Sequence, residues 1–382
     1  MFLLERMIGI CIFFVILIIV SNLISKCLNI KETKKILMLY IFILSVLGYF
    51  FCPYKSADLY YIKNLINTNL INKNFRDIFV MFQDLGYQLY YIYYWIFGKL
   101  GNTNLLPAVT AMFFYSNIFY ILYKSCDKFG LSPKTMSRTL LFFMAGGQFL
   151  EVISGIKSMF AFSVVALCCY KEFFENKSFL FNLPLYLFAA LMHDAALVAV
   201  GIRFVYLIFQ KEDRIIYKIG HYIIFGIFLL FTFKYGKEII ISASSKGQHY
   251  INAGAYSNIW EYVIAIICDC FMLYSICLVN NVMKNDLNLK EKMSTYVKYV
   301  VMVLMIDICF VFEYSIFHRY RSFTMMIIIP IIALLFEKTY RKEYSFLKKY
   351  YLIFQIYFML TMGIALSRGN LASLKFFDLS SW

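Results

Sequence analysis

The chain has 382 residues, of which 62 % are apolar, 20 % aromatic and 15 % charged, with a mean hydropathy of +0.70, against a soluble average of about 45–50 % apolar and about 25 % charged. That balance excludes a soluble globular protein, and the lack of alternating apolar and polar positions excludes an outer-membrane barrel, so the fold class is an all-α polytopic integral membrane protein. The net charge of +15 would point to nucleic acid in a soluble chain, but here the basic residues punctuate apolar runs; they read as topology signals and contacts to anionic membrane lipids, with no nucleic acid as partner.

Met7 to Ser25 and Ile36 to Cys52 are charge-free runs long enough to span, and no small-residue cleavage site follows the first, which reads as an uncleaved span. Lys26, Lys31, Lys34 and Lys35 between them place that turn in the cytoplasm and Pro53 outside. Tyr54 to Asp84 then reads as an outer loop with Asn-rich turn chemistry. Leu85 to Leu100 is short for a span, so it is predicted as an interfacial or re-entrant helix. Its Tyr87, Tyr90, Tyr91 and Tyr94 recur at helical spacing, as an interfacial aromatic belt or a platform for stacking sugar rings.

Further spans are expected at Thr103 to Tyr123, Thr139 to Ile153, Lys157 to Phe173, Ser178 to Met192, Ala195 to Gln210, Lys218 to Phe233, Ile259 to Val279, Tyr296 to Ile316, Ser322 to Phe336 and Tyr350 to Ser367. The expectation is thus a single membrane domain over 1–382 with about 12 spans (range 11–14) and both termini outside. Outer loops 53–84, 234–258 and 317–321 would contribute to a site. Most of the ten cysteines fall within spans as small apolar residues, and neither a disulfide framework nor a Cys-x-x-Cys metal spacing occurs.

The stretch from Glu151 to Arg203 organises the chain: apolar runs flank a short polar turn, Lys171 to Lys177, and Lys157 and the pair His193 and Asp194 interrupt apolar runs at one membrane face. Ionisable groups at such depth cost several kcal/mol and usually face a watery cavity or a partner; the alternative is a hairpin whose polar turn simply surfaces. His318, Arg319 and Arg321 lie in a segment expected to bridge two spans outside, where two guanidiniums suit a diphosphate or anchor to headgroups. With Lys55, Arg76, Lys157 and Arg368 they make the outer face cationic, as an anionic ligand requires. Arg203 is expected to pair with Asp269 or Asp307 inside the bundle, or to belong to a proton path, and His221 reads as a packed core histidine. Asp-x-Asp, phosphate-loop and His-Glu-x-x-His patterns are absent, so neither a metal site nor a cofactor is expected.

In order and spacing these pieces resemble one family, the Wzy-type polysaccharide polymerases and within them the EpsG-like branch. The resemblance runs through Asp58, Leu59, Tyr60 and Tyr61, then Asp84, Leu85, Gly86 and Tyr87, then Gly155, Ile156, Lys157 and Ser158, then His193 before Asp194, Ala195 and Ala196, and finally the Arg-rich segment before Pro330. The family pattern has Arg where Lys157 stands, Gln where Ser158 stands and Pro where Leu85 stands. The resemblance implies a metal-independent glycosyltransferase of the bacterial inner membrane, its active site facing the periplasm or cell exterior. It would transfer an undecaprenyl-diphosphate-linked glycan onto a lipid-linked repeat unit, alongside a chain-length regulator protein. Lys157 with Arg319 or Arg321, helped by His318, Asp84 and Tyr87, would bind substrate, and Asp58 or His193 would take the hydroxyl proton. A lipid-linked oligosaccharide flippase or a membrane acyltransferase modifying the glycan is the alternative.

Overall fold

The computed structural model describes residues 2–55, 57–84, 88–146, 148–209, 259–311, 314–339, 342–367 and 374–376. The expected span Lys218 to Phe233, the loop Lys234 to Asn258, His221, Tyr87 and Arg368 lie outside them, as does the side chain of Asp84. All regular structure among the described residues is helical.

Two long helices, α1 (Phe2–Lys26) and α2 (Ile30–Phe50), open the chain. Asn29 caps α2: its side chain accepts the Glu32 N–H at 3.1 Å, and the Glu32 carboxylate accepts the N–H of Leu28, the residue before the cap, at 3.0 Å.

The segment expected as a loop, 53–84, is instead largely helical. It forms α3 (Asp58–Leu65), a π-helical turn over Ile66–Leu70 and α4 (Phe75–Asp84), and is followed by α5 (Tyr90–Lys99). The difference has a physical cause, since asparagine favours helix caps for the same reason that it favours turns. Asn74 accepts the Asp77 N–H at 2.9 Å and so starts α4. At ten residues, α5 is about 15 Å long, half of a hydrocarbon core of about 30 Å. Trp95 Nε1 donates to the Lys73 carbonyl at 2.9 Å and Lys99 Nζ to the Ile71 carbonyl at 2.8 Å, binding these elements into a cap over one end of the bundle.

The central helix α6 (Leu105–Lys128) packs along α2 and α9 (Ile156–Phe174). Lipid is as apolar as leucine, so helices associate through close packing and interhelical hydrogen bonds. Ser45 Oγ donates to the Ala108 carbonyl at 2.7 Å, and a Cβ on Gly48 would sit 3.1 Å from the Pro107 carbonyl oxygen, so a small residue is what lets α2 approach.

Thr139 to Ile153, expected as one span, is broken into α7 (Pro133–Ala145) and α8 (Gln148–Ser154). The two adjacent glycines 146 and 147 weaken helix there. After α9 come α10 (Phe179–Met192) and α11 (Asp194–Phe209), then α12 (Ile259–Asn285), α13 (Leu287–Cys309), α14 (Tyr314–Ile327), α15 (Ile329–Lys338) and α16 (Lys348–Ser367). The residues expected as a turn, 317–321, lie inside α14, with Phe317, Tyr320 and Arg321 buried. The chain breaks earlier, after Cys309, and again between α14 and α15, which meet at 50° just before Pro330. Proline fits the first helical turn because no intrahelical partner exists there for its missing N–H.

By length and apolarity α1, α2, α6, α12 and α16 can each cross a membrane, and the bent pair α14 with α15 makes a sixth, giving a multi-pass membrane protein. The other expected spans among the described residues are shorter, broken or charged: α10 has 14 residues, and α9 carries Lys157, Lys171 and Glu172. Val15, Ile19, Met38, Phe42, Phe181 and Leu187 are exposed on α1, α2 and α10 and suit lipid contact.

The two ends of the bundle differ. At one, Glu337 Oε2 accepts from both the N–H and the Oγ of Ser132 at 2.8 Å, and Lys338 pairs with Asp286 at 3.1 Å, pinning α7, α13 and α15 together. Phe174, closing α9, meets Phe129 beyond α6 at the same end, with ring centroids 5.7 Å apart. The cap and the turns at Gly155 and His193 therefore occupy the opposite end.

Candidate functional site

Lys157 lies in the first turn of α9, with its Nζ 4.1 Å from the centroid of the Tyr90 ring on α5. The start of α5 is tied to the end of α10, because the Leu89 N–H donates to the Leu191 carbonyl at 2.8 Å. His193 follows in extended backbone, and its Nδ1 accepts the Ala195 N–H at 3.1 Å, so the imidazole caps α11. Tyr320 on α14 donates its hydroxyl to the Ala195 carbonyl at 3.0 Å, bringing the Arg-rich helix to the same turn. Lys157, the His193 turn and α14 thus meet beneath the cap. Asp58 starts α3 within electrostatic range of Tyr94, whose ring lies 5.4 Å from that of Tyr90, one ring further from Lys157.

The tyrosine stripe divides between two environments. Tyr94 is 2 % exposed and belongs to the core, whereas Tyr90 and Tyr91 are half-buried with ring centroids 4.4 Å apart. Only the latter two, among the described tyrosines of the stripe, retain surface for a ligand.

Glu151, on α8, is the hub of the site. Its Oε1 lies 2.8 Å from His318 Nε2 and 3.1 Å from an Arg321 guanidinium nitrogen, while its Oε2 accepts the Ser322 hydroxyl at 2.8 Å. Arg321 is 1 % exposed and also within electrostatic range of Asp269 on α12 and Asp307 on α13. Arg321 is thus paired with Glu151, with the carboxyl groups of Asp269 and Asp307 nearby inside the protein. No carboxylate pairs with half-buried Arg319 among the described residues.

The sequence offered a signal for Glu151, which is the sole acid in the long apolar stretch between Asp127 and Glu172. The depth rule that selects Lys157 selects it equally. Ser322 had no such signal, since an isolated serine is unremarkable until its partner is known.

The expected pairing of Arg203 with Asp269 or Asp307 is corrected: its guanidinium meets Glu172 Oε2 at 2.8 Å. The turn expected from Lys171 is the last turn of α9, so Glu172 points into the bundle. Asp269 and Asp307 accompany Arg321 instead.

No curated protein and no solved structure is similar to this chain. The model of the EpsG family matches residues 72–378, a range that includes Glu151, Lys157, His193 and the segment from His318 to Ser322 but leaves out Asp58. With most of its length matched, the chain belongs to the EpsG family of membrane proteins, associated with polysaccharide biosynthesis.

Proposed function

We propose that this protein is a repeat-unit polymerase for O-antigen, capsule or exopolysaccharide. It moves an undecaprenyl-diphosphate-linked glycan onto a lipid-linked repeat unit at the outer face of the bacterial inner membrane, with the helices threaded as about twelve crossings and a chain-length regulator as partner. The observation that carries this reading is the meeting of Lys157, the His193 turn and α14 with its Arg319 beneath the cap. A lipid diphosphate leaves with its negative charge near the membrane surface, and cations held there stabilise the transition state in which that charge develops. Lys157 and Arg319 fill this role, because Arg321 is already paired with Glu151 inside the protein.

His193 is suited to a different task from base catalysis. Its Nδ1 accepts a backbone N–H, so the neutral ring carries its proton on Nε2 and donates from there, as a hydrogen bond to a phosphate or sugar oxygen requires. Tyr90 and Tyr91 provide the ring faces against which a sugar stacks.

Disrupting the gene and resolving surface glycan by gel tests the function. Loss of a polymerase leaves single repeat units on the surface. Loss of a flippase leaves none, and loss of an acyltransferase leaves full-length glycan without the acyl group; either result would overturn the proposal.

A further inference from the structure

Glycosyl transfer requires a group to take the proton of the attacking hydroxyl, and the Ala195 contact turns His193 away from that role. We propose that His318 is the general base and Glu151 its positioning residue, an inference that rests on the polymerase function.

The geometry is that of an imidazole backed by a carboxylate. His318 Nε2 lies 2.8 Å from Glu151 Oε1, with side chains 20 % and 8 % exposed, respectively. The carboxylate holds a proton on Nε2, so the basic lone pair of the neutral ring is on Nδ1, the tautomer that a base requires. Glu151 is itself fixed from two other directions, by Arg321 on Oε1 and by Ser322 on Oε2, and Ser322 also donates to the His318 carbonyl at 3.0 Å. Such a carboxylate can orient the ring and stabilise the imidazolium without becoming the base itself. Arg319 is the next residue, so the base and a cation for the leaving diphosphate come from adjacent positions of one helix.

In the transfer, the acceptor oxygen bonds to the anomeric carbon while the bond from that carbon to the diphosphate oxygen breaks. The electron pair leaves with the lipid diphosphate, and the hydroxyl proton passes to His318 Nδ1. The imidazolium, held by Glu151, then releases it to water. Glu151 on α8 touches the ring, and other titratable or charged groups on the His318 helix α14 and on helices packed against it include Lys157 on α9, Asp269 on α12, Asp307 on α13, Arg319 and Arg321.

The test uses full-length protein in lipid nanodiscs, supplied with lipid-linked repeat units extracted from a host strain that lacks the gene, and follows polymer formation against pH. The wild type should polymerise with a rate that falls on the acid side, where the base is protonated. Glu151→Gln removes the carboxylate that orients the ring and stabilises the imidazolium, so its pH profile should differ from that of the wild type. His318→Gln, at unchanged folded yield, should lose about a hundred- to ten-thousand-fold in rate. Polymer formed by the wild type with no acid limb overturns the base assignment even where a variant fails to fold. So does a His318→Gln protein working at the wild-type rate, and an acid limb unmoved in Glu151→Gln removes Glu151 from its role. A wild type that forms no polymer at all defeats the polymerase function instead.

Discussion

The pair between Arg203 and Glu172 gives a prediction about stability that is independent of the site. Its side chains are 4 % and 3 % exposed and 2.8 Å apart, and the guanidinium lies 4.3 Å from the Phe173 ring centroid. Arg203→Met leaves Glu172 buried with the Asn182 amide, at 3.3 Å, in place of a cation. Removing one member of such a pair costs about 3–5 kcal/mol, out of a total stability of about 5–15 kcal/mol. At 1.36 kcal/mol per decade, the ratio of folded to unfolded protein should fall by roughly two to four orders of magnitude. Removing both charges, in Arg203→Met with Glu172→Gln, leaves no buried charge behind and should recover much of the loss, whereas pairing Arg203→Met with Asp269→Asn should not. Folded yield by size exclusion and thermal midpoint in detergent read both effects. A single variant with wild-type yield and midpoint, or a double variant no better than the single, would refute the reasoning.

Other expectations concern the cap end. Lys157→Ala should abolish long glycan at normal protein abundance, since loss of one donor to developing charge costs about a hundred- to thousand-fold in rate, while Lys157→Arg should keep activity; full-length polymer from the alanine variant would remove Lys157 from the site. Tyr90→Phe should be nearly neutral, because the ring under Lys157 stays. Tyr90→Leu, which loses a cation–π contact of about 0.5–2 kcal/mol, should slow polymerisation roughly two- to thirtyfold, and equal rates in the two would show that the ring does not hold Lys157. For topology, in a background with the ten native cysteines replaced, a cysteine at exposed Arg76 should label from outside and one at Leu28, 90 % exposed, should not. The reverse pattern would invert the molecule.

Much of the helical organisation was legible because apolar runs and lysine clusters speak directly about lipid and water. The breaks after Lys26 and at His193 fall within segments that the sequence reads as turns, although Lys31, Lys34 and Lys35 belong to the first turns of α2. The cap was not legible, since Asn74 starts a helix with the same side-chain chemistry that makes asparagine a turn former. The 317–321 segment was misplaced because its charges look exposed, whereas Arg321 is buried against Glu151 with Asp269 and Asp307 nearby, acids that come from three other helices and stand no closer than 14 residues from it in sequence. Burial of a charge depends on partners that only the folded chain assembles. For the same reason Glu172 was overlooked as the partner of Arg203. Its neighbours Lys171 and Lys177 suggested a solvated turn.

The helix breaks and the candidate residues share a location, and lipid physics connects the two. Unpaired N–H and C=O groups are not tolerated in hydrocarbon, so irregular backbone at membrane depth survives only where protein or a water-lined space surrounds it. At 14 residues, α10 rises about 21 Å and stops short of a core about 30 Å thick, leaving the His193 turn below the far boundary. The groups this turn exposes are taken up by protein: the Leu191 carbonyl by the Leu89 N–H, the Ala195 N–H by His193 and the Ala195 carbonyl by Tyr320. At the neighbouring turn the Gly155 N–H donates to the Glu151 carbonyl at 2.7 Å, so the residue whose carboxylate holds His318 and Arg321 also closes the turn before Lys157. The residues that make the breaks tolerable are therefore those that position the polar side chains. For a polymerase this arrangement offers the diphosphate a polar, protein-lined position near headgroup depth while its prenyl chain stays in lipid. A substitution that mends a break by extending helix, such as Gly155→Ala, brings a Cβ to 2.9 Å from the Glu151 carbonyl oxygen. It should displace Glu151 and Lys157 together, lowering polymer formation more than folded yield; equal losses in the two would separate the break from the site.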